Sequence, residues 1–276
     1  MCENCGCANS TGNVHLHTHD ATHLSQPRQV EVQEAILAKN DHLADHLRHQ
    51  FHHQGILTLN FLSSPGSGKT SLIERTLTDL GHQFSIAVVV GDLETDNDAQ
   101  RLRGKGASVV QITTGSVCHL EANMVETALA KINLDGLQLL FIENVGNLVC
   151  PAAYDLGESA RVVLLSATEG EDKPLKYPTL FKTADVVVLS KMDIAEAVGF
   201  DRDLAIENVK KIAPQAEILE LSARSNLRLG NDSIQSRTGL ESWYDYLQQQ
   251  YQTISSKKTS LEAIKPTSEM TFSTLK

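Results

Sequence analysis

Three groups of residues have the types and spacing to do chemistry. The first is S-S-P-G-S-G-K-T at residues 63–70. It fits G-x-x-x-x-G-K-[ST], with Ser63 at the place of the first glycine. Gly66 and Gly68 let the backbone turn, so that successive N–H groups along Ser64, Ser67 and the start of the next helix at Ser71 point at phosphate oxygens. Lys69 reaches the β- and γ-phosphates. Thr70 offers a hydroxyl to Mg²⁺. A helix from about Lys69 to Leu80 adds the positive end of its dipole.

The second group is spread along the chain at the ends of apolar runs. Phe141-Ile142-Glu143-Asn144-Val145-Gly146 places an acid where it can hold Mg²⁺ through water. Its glycine can offer its N–H to a γ-phosphate. Ser190-Lys191-Met192-Asp193 resembles the N-K-x-D guanine motif, with Ser190 in place of Asn. Asp193 would accept from the guanine N1–H and exocyclic amine, and the Lys191 stem would lie on the ring. Adenine has no matching donor pair. Ser222-Ala223-Arg224 is similar to the S-A-K/R loop that packs on guanine. These elements favour GTP over ATP. Asp92, Glu94, Asp96 and Asp98 cluster after another apolar run. They suit a solvated helix N-terminus, where acids are favoured anyway, or a switch region with a second Mg²⁺ contact at Asp92. Lys69, Asp92 and Glu143 are the candidate catalytic residues.

The third group is metal-ligating. Cys2-x-x-Cys5-Gly6-Cys7 packs three thiols into six residues. Thiolates bind borderline and soft metals, and three sulfurs need a fourth donor. With Met1 removed, the α-amino group of Cys2 supplies one. Such a set is square planar around Ni²⁺ and tetrahedral around Zn²⁺. Cys118-His119 and Cys150 each follow an apolar run, and Cys150 lies four residues past Gly146. A metal held by these three would share a loop with the γ-phosphate contact. A buried thiol and a bystander histidine are the alternative.

The elements that must position these groups are legible in the apolar pattern. Runs at 56–62, 86–90, 109–112, 137–142, 162–165, 186–189 and 218–221 alternate with helix-compatible stretches. Continuous apolar runs suit strands buried on both faces. The expectation is an α/β fold with a mostly parallel seven-stranded sheet flanked by helices, its ligands at the carboxyl ends of the strands. Residues 1–29 read as a flexible metal-binding arm containing His15, His17, His19 and His23. Residues 30–53 read as a histidine-rich helix. In it Val32, Ile36, Leu43, Leu47 and Phe51 fall within about 100° of arc, and His42, His46, His49 and His53 form a neighbouring stripe. Those histidines suit either a metal-binding face or a solvated one. Residues 54–252 form the nucleotide domain, and 253–276 read as a loose polar tail.

The 276 residues carry 34 acidic and 24 basic side chains, a net charge of −10. That argues against a nucleic-acid coat and against binding to anionic membranes. No apolar run reaches the length of a membrane span, and the first 25 residues lack both Lys/Arg and an apolar stretch, so no Sec-type signal is expected. A cytosolic setting follows, in which five cysteines are ligands or buried thiols rather than disulfides.

C-x-x-C-G-C, S-S-P-G-S-G-K-T, T-G-S-V-C-H-L-E and E-N-V-G-N-L-V-C-P, taken in order, resemble the HypB family of GTPases that help insert nickel into [NiFe] hydrogenase. The likeness spans residues 2–7 and about 56–250. It implies a SIMIBI-class fold, slow GTP hydrolysis and GTP-linked homodimerisation. It also implies a tight nickel site at Cys2, Cys5 and Cys7 and a weaker nickel or zinc site at Cys118, His119 and Cys150. Handover would run between a HypA-type nickel chaperone and the hydrogenase large subunit. Residues 226–237 look like an insertion. Three other readings compete. A urease-type accessory GTPase carries Cys-Pro-His where this chain has Cys150-Pro151-Ala152. A nickel-storage protein suits the histidine-rich arm but not the intact Lys69–Thr70. A small-molecule kinase does not suit the guanine-type loops.

Overall fold

A computed structural model describes residues 26–224 and 239–263. In chain order the elements are α1 (Gln26–Gln54), β1 (Leu57–Leu62), α2 (Lys69–Leu80), β2 (Ile86–Asp92), α3 (Asn97–Leu102), β3 (Ser108–Thr113), α4 (Ala122–Leu129), β4 (Leu139–Glu143), β5 (Ala160–Ser166), α5 (Lys173–Lys176), α6 (Pro178–Lys182), β6 (Val186–Ser190), α7 (Arg202–Ile212), β7 (Glu217–Glu220) and α8 (Leu240–Ala263). Short 3₁₀ turns cover Cys150–Ala153 and Met192–Ile194.

The seven strands form one sheet in the order β3-β2-β4-β1-β5-β6-β7, and every pairing is parallel. The sequence explains why. Alternate residues of a strand face opposite sides, and here both sides are apolar. In β4, Leu139 and Phe141 join the core under α2 and α8, while Leu140 and Ile142 join the core under α1 and α4. In β5, Val162 and Leu164 face α8, and Val163 and Leu165 face α6 and α7. A sheet buried on both faces must be covered by helices, and the crossovers supply them. From central β1 the chain moves outward to β2 and β3 and later to β5–β7 on the other side. The reversal leaves a crevice at the carboxyl end of β1, where ligands bind in such sheets.

Two differences from the sequence expectation concern the ends of the chain. Helix α1 begins at Gln26, inside the stretch read as an arm, and Ile36 of its expected apolar stripe is 48 % exposed. Among the described side chains of α1, burial begins at Asn40 and continues at Ala44, Leu47 and Phe51. Helix α8 runs through residue 253 to Ala263, so the stretch read as a polar tail begins as helix. Trp243 anchors α8. It is fully buried, contacts the Phe61 ring edge-on, and donates from Nε1 to Thr76 Oγ1 at 2.9 Å. That bond ties α8 to α2, the helix that follows the glycine-rich loop. Residues 2–7, the histidines at 15–23 and the insertion at 226–237 lie outside the described residues.

Candidate functional site

The glycine-rich loop leaves β1 at the centre of the sheet and enters α2. Gly66 and Gly68 have φ of 77° and 107°, values that side chains with a Cβ rarely adopt. A Cβ at either position would meet nothing within 4 Å. The glycines therefore serve the backbone path and leave the face of the loop open to a phosphate. Lys69 is buried and donates from Nζ to Ser63 Oγ at 3.0 Å. Burial pushes its ammonium below the usual range, against the pull of Glu143. Ser64 and Ser67 donate their hydroxyls to Glu169 at 2.6 and 2.5 Å, which braces the loop from the β5 side.

Glu143 ends β4, beside β1, and accepts from Thr70 Oγ1 at 2.6 Å. Its Oε2 is buried with no hydrogen-bond partner. Burial pushes this carboxyl up to about 7, partly opposed by Lys69. A buried, unpartnered carboxylate oxygen beside a hydroxyl fits a small hard cation. Asp92, at the end of β2, faces the same cavity of about 340 Å³, as do Ser71 and Gly146. Thr70, Glu143 and Asp92 could thus hold Mg²⁺, directly or through water. Gly146 is pressed onto the loop, since a Cβ there would lie 2.9 Å from Pro65 Cα.

A second cavity of about 310 Å³ adjoins the first across Gly66, Gly68 and Ser71. Lys191, Asp193 and Ala223 line its far side. Lys191 is the one non-glycine residue with positive φ among those described, at 59°. Ser222 Oγ accepts from the Asp193 N–H at 2.8 Å and donates to Asp193 Oδ1 at 2.7 Å, fixing that carboxylate. Asp193 is exposed at the cavity mouth. Ser190, which stands in place of the motif's Asn, donates from Oγ to the Ser67 carbonyl at 2.6 Å and ties β6 to the phosphate loop.

Cys118, His119 and Cys150 come together on the same rim, with one ligand atom of each within 4.8 Å of the others. They are the one such group of three among the described residues. Both ring nitrogens of His119 are buried without a hydrogen-bond partner, and Nε2 lies 3.5 Å from Glu121 Oε1. Burial lowers the imidazole's pKa, which keeps the neutral, ligating form. Tyr154 stacks on the ring with centroids 3.8 Å apart. Two thiols and a neutral imidazole could hold a nickel or zinc ion. By contrast, His42, His46, His49 and His53 are all exposed along α1.

Sequence reasoning missed Arg101 on α3. It lines the phosphate cavity and reaches Ser71 Oγ at 3.3 Å and Glu74 Oε2 at 2.8 Å. Its neighbours Asp96 and Asp98 pair with Arg103 and Arg101, so part of the acidic run balances local cations.

Fold and crevice define a P-loop nucleotide-binding protein with a thiol–imidazole cluster beside its phosphate pocket. The CobW/HypB/UreG nucleotide-binding domain matches residues 57–220. The hydrogenase maturation factor HypB of Rhizobium leguminosarum bv. viciae is 47 % identical over 225 residues, 82 % of this chain and 72 % of the relative. The hydrogenase/urease maturation factor HypB of Helicobacter pylori is 47 % identical over 201 residues, 71 % of this chain and 82 % of the relative. A crystal structure of Helicobacter pylori HypB in complex with nickel superposes with a TM-score of 0.70 at 42 % identity, covering 78 % of this chain and 96 % of that one. The chain belongs to the CobW/HypB/UreG family and, within it, to the HypB maturation factors.

Proposed function

We propose that this protein is a GTP-hydrolysing metallochaperone that carries nickel and helps insert it into [NiFe] hydrogenase. The observation that carries this reading is the shared loop. Gly146 faces the phosphate cavity, and Cys150, four residues on, is a member of the only three-ligand cluster among the described residues. Nucleotide and metal would therefore act on one segment. In this reading GTP is bound by the loop from Ser64 to Ser71, with guanine between Lys191, Asp193, Ser222 and Ala223. Mg²⁺, when bound, neutralises charge on the transferred phosphate. Lys69 contacts the phosphates, Thr70 and Glu143 position the cation, and Gly146 offers its N–H to the γ-phosphate. Turnover is slow and regulatory, since hydrolysis serves a change of state rather than a flux. Nickel is the cargo, held tightly at Cys2, Cys5 and Cys7 and more weakly, with zinc as a competitor, at Cys118, His119 and Cys150. Three ligands per chain suit a site completed in a GTP-linked homodimer. The partners are a HypA-type nickel chaperone and the hydrogenase large subunit, in the cytoplasm. The name of the Helicobacter pylori relative supports urease as a second recipient.

The test is nucleotide-dependent sizing with and without Ni²⁺, coupled to phosphate release. GTP should drive dimer formation and be hydrolysed with Mg²⁺. A chain that neither changes size with GTP nor releases phosphate would not be a GTPase of this kind.

A further inference from the structure

Polar side chains in an apolar sheet must find partners, because a buried unpaired amide loses its hydration with nothing in return. Asn60 sits in the middle of β1 and Asn144 just past β4, and they are 0 % and 1 % exposed. Their bonds converge on the metal-ligand cluster. Asn144 Oδ1 accepts from two N–H groups at once, Val145 at 2.9 Å and Leu120 at 3.3 Å. Val145 precedes Gly146, and Leu120 follows His119. Asn144 Nδ2 donates to Asn60 Oδ1 at 3.3 Å, and Asn60 Nδ2 donates to Glu158 Oε1 at 3.2 Å. Glu158 also accepts from Arg161 Nε at 2.6 Å, and the remaining nitrogens of that guanidinium hold the carbonyls of Ala152 and Tyr154.

A second bracket lies one residue past Gly146. Asn147 Nδ2 donates to the Cys118 carbonyl at 3.4 Å, and its Oδ1 accepts from the Val149 N–H at 2.8 Å. Asn144 and Asn147 thus flank Gly146 within one short loop. Each holds backbone beside a ligand: Leu120 and Cys118 on one arm, Val149 next to Cys150 on the other. Gly146 itself is pinned against Pro65 of the phosphate loop.

We infer that Asn144 and Asn147 are positioning residues that link nucleotide state to metal affinity at Cys118, His119 and Cys150. This rests on the nickel-GTPase reading above. The ligand atoms stand within 4.8 Å of one another, and one ion with bonds of about 2.0–2.3 Å sets its tetrahedral donors about 3.3–3.8 Å apart. Binding fixes the spacing of the two arms, and both arms hang on the loop that carries Gly146. A displacement of Gly146 with the γ-phosphate shifts the two carboxamides, changes the spacing of the arms, and so changes metal affinity. By linkage the metal changes nucleotide affinity by the same factor.

The test uses the full-length chain with Cys2, Cys5 and Cys7 replaced by Ala, so that Ni²⁺ reports one site. Ni²⁺ affinity is measured with GDP and with a non-hydrolysable GTP analogue, following thiolate-to-nickel charge-transfer absorption. The parent ratio between the two states should be at least about five-fold, the lower end of allosteric couplings. Asn144→Ala and Asn147→Ala should bring that ratio close to one while keeping the absorption bands. Should Asn144→Ala fail to fold, Asn147→Ala, at a half-buried position, carries the test. Asn147→Asp, which keeps the acceptor for Val149 and loses the donor to Cys118, should retain part of the ratio. A parent ratio preserved in Asn147→Ala would overturn the asparagine assignment and leave a nucleotide-linked site standing. A parent ratio of one would remove the linkage, and the inference with it.

Discussion

Thr70 Oγ1 donates to Glu143 Oε1 across 2.6 Å, joining the first turn of α2 to the last residue of β4. The bond leaves Glu143 Oε2 as the buried oxygen without a partner. A cation between them would replace the lost hydration of the carboxylate. Thr70→Ala and Glu143→Gln should each raise the Mg²⁺ concentration needed for half-maximal phosphate release by about 10- to 100-fold, the usual cost of disturbing a metal's supporting groups. Lys69→Ala should abolish release. Parental hydrolysis in Lys69→Ala would mean that the phosphate site has been misplaced.

Base selectivity and loop anchoring separate cleanly at β6. Asp193, fixed by Ser222, faces the cavity next to the phosphate loop. Asp193→Asn should reduce the preference for GTP over ATP by roughly 10²-fold, because the guanine donors lose a charged acceptor. Ser190→Ala removes the bond to the Ser67 carbonyl. It should weaken both nucleotides together by about 2- to 10-fold, the value of one neutral hydrogen bond. Competition binding reads both effects. Equal GTP and ATP affinity in the parent would eliminate the guanine site.

How much of this was legible follows from where each signal lies. The seven apolar runs became seven strands, because a strand buried on both faces is continuous in sequence. Lys69–Leu80 was readable to the residue, since the glycine-rich loop marks its start. Ser190 was read only as a departure from Asn, and its role appears once β6 lies near enough to the phosphate loop for a 2.6 Å bond. Arg101 follows an acidic run and matches no motif. It reaches the cavity only because β2 pairs with β4, and β4 with β1. Asn60, with Thr58 one of two polar residues in the otherwise apolar β1, is a readable sign of a buried polar contact, but its partner Glu158 is 98 residues away. Ile36 fits the helical period, yet period alone does not say where a helix leaves the body of the protein.

The anchoring of α8 predicts a stability change. Thr76 Oγ1 donates to the Leu72 carbonyl and accepts from Trp243 Nε1, both fully inside the core. Thr76→Val keeps the shape and orphans the indole N–H. Unfolding stability should fall by about 1–3 kcal/mol, measured by urea titration with an unchanged slope. A variant as stable as the parent would show that the bond contributes nothing.

Acid sensitivity should trace in part to Asp155, on the segment between the metal-ligand loop and β5. Burial alone would raise its pKa, but the Gly157 N–H and the Arg48 guanidinium on α1 outweigh that and hold it below the usual carboxylate range. Its contribution is therefore complete above the ordinary carboxylate pKa. It is lost as pH falls through the lower folded value. Asp155→Asn should lower stability near neutrality and flatten the decline below about pH 4, where the unfolded carboxylate begins to bind its proton. Parallel pH profiles for parent and variant would exclude Asp155 as a source of that decline.

The most direct measurement is nickel transfer. The full-length chain, loaded with Ni²⁺, is mixed with metal-free hydrogenase large-subunit precursor, and nickel in the precursor is counted after separation. GTP with Mg²⁺ should accelerate transfer, a non-hydrolysable GTP analogue should not, and Lys69→Ala should transfer no faster with GTP than without. Transfer at one rate in all three cases would contradict a role for GTP hydrolysis in nickel delivery.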